Sequence, residues 1–270
     1  MLKDITLGQY YPADSVIHHL DPRVKLLAVL IFLITLFAFR GPLALAVCAG
    51  FLITVIILTK IPFSFMVRGL RMIVIILIIT ALMNMFFTNG EHVIWKFGVL
   101  KLTWEGIRMA ALMVFRLVFL ILGTSVLTLT TTPNQLTEGM EKGLRWLSAI
   151  GVPIHEIAMM MSIALRFIPI LAEEADKIMR AQKARGADFE TGGLIKRAKA
   201  LVPLLVPLFV SAFRRANDLA LAMEARCYHG GKGRTKLKPL VYKKRDAISY
   251  LILAGYVAAV IVSSVWWKSR

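Results

Sequence analysis

Hydrophobic positions run through this chain in long blocks, not in the two-residue alternation of strands. The first block, residues 24–39, is launched by Asp21-Pro22-Arg23 and stopped by Arg40-Gly41-Pro42. The second, 43–59, is stopped by Lys60 and Pro62. Blocks 72–87 and 106–131 follow, and 247–267 closes the chain with Trp266-Trp267 before Lys268, the aromatic-then-basic pattern of a membrane interface. Crossing about 30 Å of hydrocarbon takes roughly 20 apolar residues in a helix, fewer where flanking side chains snorkel. The pattern predicts an all-α, polytopic integral membrane protein with about five transmembrane helices. Between the third and fourth blocks, residues 92–102 partly alternate apolar with polar around Gly98, which suits a short hairpin or an interfacial stretch.

Residues 133–246 follow a different pattern. Apolar pieces at 157–171 and 201–213 are short, are interrupted by Pro153, Pro169, Pro203 and Pro207, and alternate with charged, Ala-rich helical stretches. This reads as a set of amphipathic helices lying at, or dipping into, one membrane interface. The expected organisation is a membrane domain over 1–131, a cytoplasmic coupling-helix module over 132–246, and a last transmembrane helix in 247–270 that packs back on the membrane domain.

Composition sharpens this picture. The 270 residues are 58% hydrophobic, yet the formal net charge is +17, and the mean hydropathy is +0.71. A soluble protein this apolar has too little polar surface to cover its core. A nucleic-acid binder could carry the charge but not the apolar blocks, and the 133–246 region lacks the interleaved aromatics of a strand-binding surface. Of the 33 Lys and Arg, 20 lie within 133–246, against 11 acidic residues. The positive-inside rule places that region in the cytoplasm, with the N-terminus on the same side and the C-terminus opposite. Cys48 and Cys227 are expected to stay unpaired. Residues 1–21 are polar and lack the apolar core of a cleaved signal, and the basic 230–238 stretch reads as a solvated connector.

Several chemistries are missing from the sequence. Gly230-Gly231-Lys232-Gly233 lacks the first glycine and the hydroxyl of a P-loop. His155-Glu156-Ile157-Ala158-Met159 has Met159 where a zinc-binding helix needs its second histidine. The adjacent His18 and His19 point in different directions. The five apolar blocks contain no Asp or Glu, so a carboxylate pair for proteolysis or a proton relay is not in place. The chain is therefore expected to be no enzyme and to hold no metal or cofactor. Arg116 in the fourth block should face the bundle interior or pair with a carbonyl, and Asn84 in the third should form a helix–helix hydrogen bond.

The remaining signal is a duplication. Ala184-Arg185-Gly186 and Ala225-Arg226-Cys227 each end an Ala-rich stretch preceded by a proline-marked apolar run. Aligning Arg185 on Arg226 places Ala175, Ala181 and Ala184 on Ala216, Ala222 and Ala225. In the first stretch, Glu173, Glu174 and Asp176 precede Lys177, Arg180 and Lys183, the order a helix macrodipole favours, and Gly186 is a natural stop. The second stretch begins with Arg214-Arg215, so tuning of the dipole does not explain the recurrence. Small neighbours let an arginine extend into a groove and grip a carboxylate with both arms of its fork.

The stretches Ala181-Gln182-Lys183-Ala184-Arg185-Gly186-Ala187 and Ala222-Met223-Glu224-Ala225-Arg226-Cys227-Tyr228 resemble the two Ala-Arg-Gly-type motifs of the transmembrane T component of energy-coupling factor (ECF) transporters. Ala164-Leu165-Arg166-Phe167-Ile168-Pro169 and the N-terminal run from Ser15 to Lys25 fit the same resemblance, which extends over nearly the whole chain. Cys227 departs from it, standing where glycine or alanine is commoner, but it is still small. The resemblance implies a non-catalytic scaffold in a prokaryotic cell membrane. Its partners would be two ABC-type ATPases, which bind the ATP and Mg, a substrate-binding S component, and the lipid bilayer, with no nucleic acid. Arg185 and Arg226 would each seat in one ATPase, and Met160, Met161, Pro203 and Pro207 would face the S component. The expected cargo is a vitamin or other micronutrient. A dedicated cobalt or nickel importer subunit is the nearest rival, and a secondary transporter or membrane enzyme lies further off.

Overall fold

In the computed structural model, residues 10–39, 41–88, 92–97, 100–189, 193–231 and 239–268 are described. The 230–238 stretch expected to be a connector lies largely outside them, as do the first nine residues. The regular structure of the described residues is helical, apart from one hairpin. Its elements are α1 (Pro22–Ala38), α2 (Pro42–Thr59), α3 (Phe63–Phe87), β1 (Val93–Phe97), β2 (Leu100–Thr103), α4 (Trp104–Thr130) and α5 (Pro133–Gly143). A 3-10 turn at Arg145–Ile150 leads to α6 (Ile154–Ala184), α7 (Leu194–Ala225) and α8 (Lys244–Lys268). β1 and β2 pair antiparallel with Phe97 opposite Leu100, so the alternation around Gly98 marks a hairpin.

Local sequence sets the boundaries. Asp21 caps α1 by accepting from the N–H of Arg23, and Pro22 occupies the first turn, where its missing donor costs nothing. Thr103 caps α4 through Gly106 N–H at 3.1 Å. The chain divides into two compact units, the division falling inside α5.

The first unit comprises Gly8–Gly139 and Leu240–Arg270, and its core lies where α1, α2, α4 and α8 meet. Phe32, Leu36, Cys48, Leu52, Val126, Tyr256 and Val260 are all buried there. Phe51 stacks on Tyr256 at 4.3 Å between ring centroids. The Thr35 hydroxyl donates to Phe32 O at 2.9 Å, so at the 2.6 Å contact with Tyr256 the phenol is the donor. Such polar contacts, with small residues at close approaches, hold helices together where hydrocarbon solvates every apolar face equally. Gly123 is one such approach, since a Cβ there would stand 2.8 Å from Phe32. The first turns of α1 and α8 share one end of this bundle, and Gly41 and Trp267 meet at the other.

The second unit is centred on Met140–Pro239 and contains α6 and α7, packed on each other. It corrects one expectation. The prolines do not interrupt these helices: α6 runs 31 residues through Pro169, and α7 runs 32 through Pro203 and Pro207. Each proline removes one main-chain hydrogen bond, a local loss that the flanking turns of a helix nearly nine turns long outweigh. The stretches ending in the two arginine motifs are thus the C-terminal halves of long helices, not separate short ones.

Five helical stretches among the described residues are long and apolar enough to cross a membrane: α2, α4, α6, Lys199–Ala225 of α7 and Lys244–Trp267 of α8. The number matches the sequence expectation, but the membership differs. α1 has 17 residues, about 25 Å of helix, and the apolar part of α3, Ile73–Phe87, is also shorter.

Candidate functional site

The two arginine motifs fold into the same structure. At the end of α6, Gly186 N–H donates to Lys183 O at 3.0 Å and Ala187 N–H to Gln182 O at 2.9 Å. At the end of α7, Cys227 N–H donates to Glu224 O at 2.8 Å and Tyr228 N–H to Met223 O at 3.0 Å. Each is a Schellman cap, in which a residue in the left-handed region turns the chain so that main-chain donors satisfy the last carbonyls. Gly186 takes that position with φ 89° and Cys227 with φ 54°. Arg185 and Arg226 occupy the same place, the C-cap itself.

This geometry separates capping from the arginine side chains. The terminal carbonyls already have main-chain partners, so neither guanidinium is needed to close its helix. Ala184, Arg185, Gly186, Ala225, Arg226 and Cys227 are all exposed. Among the described residues, neither arginine forms an ion pair. Two always-charged forks, each flanked by small residues, are left presented to solvent.

The helices cross at equivalent points of the repeat. Glu174 lies eleven residues before Arg185, and Arg215 lies eleven before Arg226. Across the α6–α7 contact, Arg215 donates to Glu174 Oε2 from Nε at 3.2 Å and from a terminal nitrogen at 3.0 Å. Ser211 donates to Oε1 at 2.5 Å. The pair is separated by 41 residues, the offset that superimposes the two motifs. Each arginine therefore stands the same distance past the crossing, about 16 Å along its own helix. The angle between the helices sets the spacing of the two forks.

Before the crossing, both helices carry a mainly apolar stretch, 157–171 on α6 and 201–213 on α7, that is largely uncovered. On α6, Met160 is 57% exposed, Met161 40% and Ile168 40%; on α7, Val206 is 56%, Phe209 62% and Phe213 69%. Pro203 and Pro207 are exposed on the same stretch of α7. Contiguous apolar surface on this scale marks contact with lipid or with a partner.

Comparison with known proteins places the chain. A family model described as "Cobalt transport protein" matches residues 13–237. A protein of Clostridium kluyveri named "Energy-coupling factor transporter transmembrane protein EcfT" is 54% identical over 99% of each chain. Relatives of the same name from Thermosediminibacter oceani and Bacillus subtilis are 50% and 46% identical, covering 98% and 94% of this chain and 100% and 97% of their own. The chain belongs to the EcfT family. It is a transmembrane component of an energy-coupling factor transporter, as the sequence resemblance implied.

The N-terminal run that fitted this family has a structural task in the first unit. Asp246, 2% exposed, accepts from Asp21 N–H at 2.9 Å through Oδ1 and from Lys243 N–H at 2.7 Å through Oδ2. One carboxylate thus caps α8 and ties α1 to it. Arg23 grips both oxygens of Asp21 at 3.1 Å, donates to Leu240 O at 3.4 Å, and lies 4.0 Å over the Tyr242 ring. Lys25, 5% exposed, donates to His18 O at 3.1 Å and Thr130 O at 2.8 Å, joining α1 to the end of α4.

Other singled-out residues sort as follows. Arg116 pairs with a carbonyl, donating to Phe39 O at 3.1 Å. Asn84 differs from expectation, because its amide donates within its own helix to Thr80 O at 2.9 Å, not across to a neighbour. Gly106 lets the α4 backbone approach α3 there, since its Cβ would meet Met85 O at 2.7 Å. His155 pairs with Glu141 at 2.9 Å, and Cys48 and Cys227 are both free thiols. Sequence reasoning missed Glu174–Arg215 and Asp21–Asp246. The first was available, because the alignment that pairs the arginines also sets Glu174 against Arg215, opposite charges at matched positions. The second depends on chain ends meeting in space, which no local pattern encodes.

Proposed function

We propose that this chain is the non-catalytic scaffold of an importer, coupling ATP hydrolysis by two partner ATPases to reorientation of a substrate-binding S component. ATP and Mg reside on the partner subunits. The observation that carries this reading is the identity of the two caps: the same Schellman geometry, the same exposed arginine, the same distance from a shared crossing. Two like ATPases present two like grooves, and a pseudo-symmetric pair of forks fits them. Carboxylates lining each groove would take a guanidinium in bidentate fashion.

The crossing converts motion at one place into motion at another. When nucleotide binding draws the ATPases together, the arginine-bearing ends of α6 and α7 follow. Rigid helices pivoting at Glu174–Arg215 then move their apolar halves, where Met160, Met161, Pro203 and Pro207 meet the S component. That shifts the S component toward its inward-open state. The module works on the cytoplasmic side of a bacterial cell membrane, and the cargo is a vitamin or other micronutrient. The family description names cobalt transport, which favours a cobalt importer as the second reading.

Reconstituted uptake tests the proposal. With the ATPases and an S component in proteoliposomes, the wild type transports when ATP is supplied on the ATPase side. Arg185→Glu with Arg226→Glu should abolish uptake while leaving insertion and S-component binding intact. Uptake at the wild-type rate in the double variant would remove the coupling role. Supplying vitamin-type or cobalt-type S components in parallel separates the two cargo readings.

A further inference from the structure

The first unit contains a cavity of about 730 Å³ that the scaffold role does not use. It lies among α1, α2, α4 and α8 and is walled almost wholly by apolar side chains. Its rim is open, since Val16 is 59% exposed, Leu58 44%, Ile248 58% and Ile252 56%. Two glycines leave room in it: Gly50 on α2 and Gly255 on α8 both line it, and a Cβ on either would touch nothing within 4 Å.

We propose that this cavity binds one anionic phospholipid, one of its two acyl chains between α2 and α8 and its phosphate on Arg245. Along α8 the lining runs from Arg245 to Ala259, about 21 Å of helix, which is an acyl chain's length and somewhat more than one leaflet. The cations at the mouth decide the headgroup. Lys25 is committed, its ammonium spent on the carbonyls of His18 and Thr130. Arg245 is not: its Nε is buried without a hydrogen-bond partner, and among the described residues it forms no ion pair. It sits in the first turn of α8, where the positive end of the helix dipole also favours an anion. Exposed Lys243 and Lys244 precede it in the chain. This inference is independent of the role given to Arg185 and Arg226.

Native mass spectrometry of the full-length chain, released from detergent with phosphatidylglycerol or phosphatidylcholine, provides the test. One uncommitted arginine predicts a single retained lipid with about fivefold preference for phosphatidylglycerol. Arg245→Ala should bring the two lipids to parity, and Arg245→Lys should keep part of the preference. Gly50→Leu and Gly255→Leu, made separately so that one misfolded variant does not void the test, should lower retention of both lipids. Equal retention in the wild type overturns the proposal, as does a preference that survives both Arg245→Ala and the filling variants. Loss of S-component assembly in the filling variants, with lipid retention unchanged, assigns the cavity to a protein partner and overturns it as well.

Discussion

Asp21 and Asp246 are separated by 225 residues, yet the backbone N–H of one donates to a side-chain oxygen of the other at 2.9 Å. The second oxygen of Asp246 closes the first turn of its own helix through Lys243 N–H. A buried carboxylate is thereby fully used, and the first and last helices of the bundle share one capping group. Asp246→Ala leaves the buried Asp21 N–H without an acceptor, at a cost of about 1–3 kcal/mol, and frees the Lys243 N–H, which water can reach, at a smaller cost. Asp246→Asn keeps one acceptor oxygen and should lose about half as much. Thermal unfolding of the full-length chain in detergent should rank wild type above Asn above Ala, and equal midpoints would show that the shared cap does not stabilise the bundle.

Glu174 and Arg215 make a charge pair at the pivot of the crossed helices. Both are partly exposed, so the pair is worth only about 0–1 kcal/mol and global stability should barely register its loss. Coupling should register it. Glu174→Arg or Arg215→Glu alone places like charges at the crossing and should lower ATP-driven uptake severalfold. The double exchange, Glu174→Arg with Arg215→Glu, restores an opposite pair at equivalent repeat positions and should recover most of the uptake. A double variant as defective as either single one would argue against a pivot.

Cys227 holds a backbone conformation that suits glycine, with φ 54°. Only a residue without Cβ takes it freely, so Cys227→Gly should stabilise the end of α7 by about 1 kcal/mol and leave uptake intact. Cys227→Val puts a β-branched residue where it fits worst and should unwind the cap that aims Arg226. Protease sensitivity at residues 223–228 reads out both effects, and a Val variant as resistant as the wild type would contradict the account of the cap.

The turn before α1 carries a pH dependence. His18 Nε2 lies 3.0 Å from Tyr11 O, and because a carbonyl only accepts, that nitrogen bears the proton. Nδ1 accepts from the Ser15 hydroxyl at 2.7 Å. Burial of the ring pushes the imidazole below its ordinary range, opposed by the Tyr11 hydrogen bond and reinforced by the charge on Lys25. The folded chain then binds this proton less readily than the unfolded one. Stability from His18 is complete above the free imidazole value of about 6.5 and is lost as pH falls through the lower folded value. The unfolding midpoint should drop between pH 7.5 and pH 5 by more in the wild type than in His18→Gln, and equal drops would exclude His18 as a source.

Much of this was legible in the sequence, for reasons that differ by residue. The blocks that became α2, α4 and α8 could be read because a bilayer imposes a length and a composition on any helix that crosses it. The arginine motifs could be read because a duplicated local structure repeats its small residues, and Gly186 declares a left-handed turn. The continuity of α6 and α7 could not be read, because Pro169, Pro203 and Pro207 are strong local signals whose cost is set by how much helix surrounds them. Nor could the role of Asp246 be read, since a single carboxylate at a helix start looks like an ordinary cap until its second partner arrives from the other end of the chain.

The central claim is that Arg185 and Arg226 each dock one ATPase, and the stoichiometry of the purified complex tests it most directly. Co-expressed with its ATPases and weighed intact in detergent, the wild-type chain should carry two ATPase subunits. Arg185→Glu or Arg226→Glu alone should leave predominantly one, and the double variant none, with the chain still inserted and folded. Two ATPases retained by the double variant would contradict the claim and leave the arginines as ornaments of two helix ends.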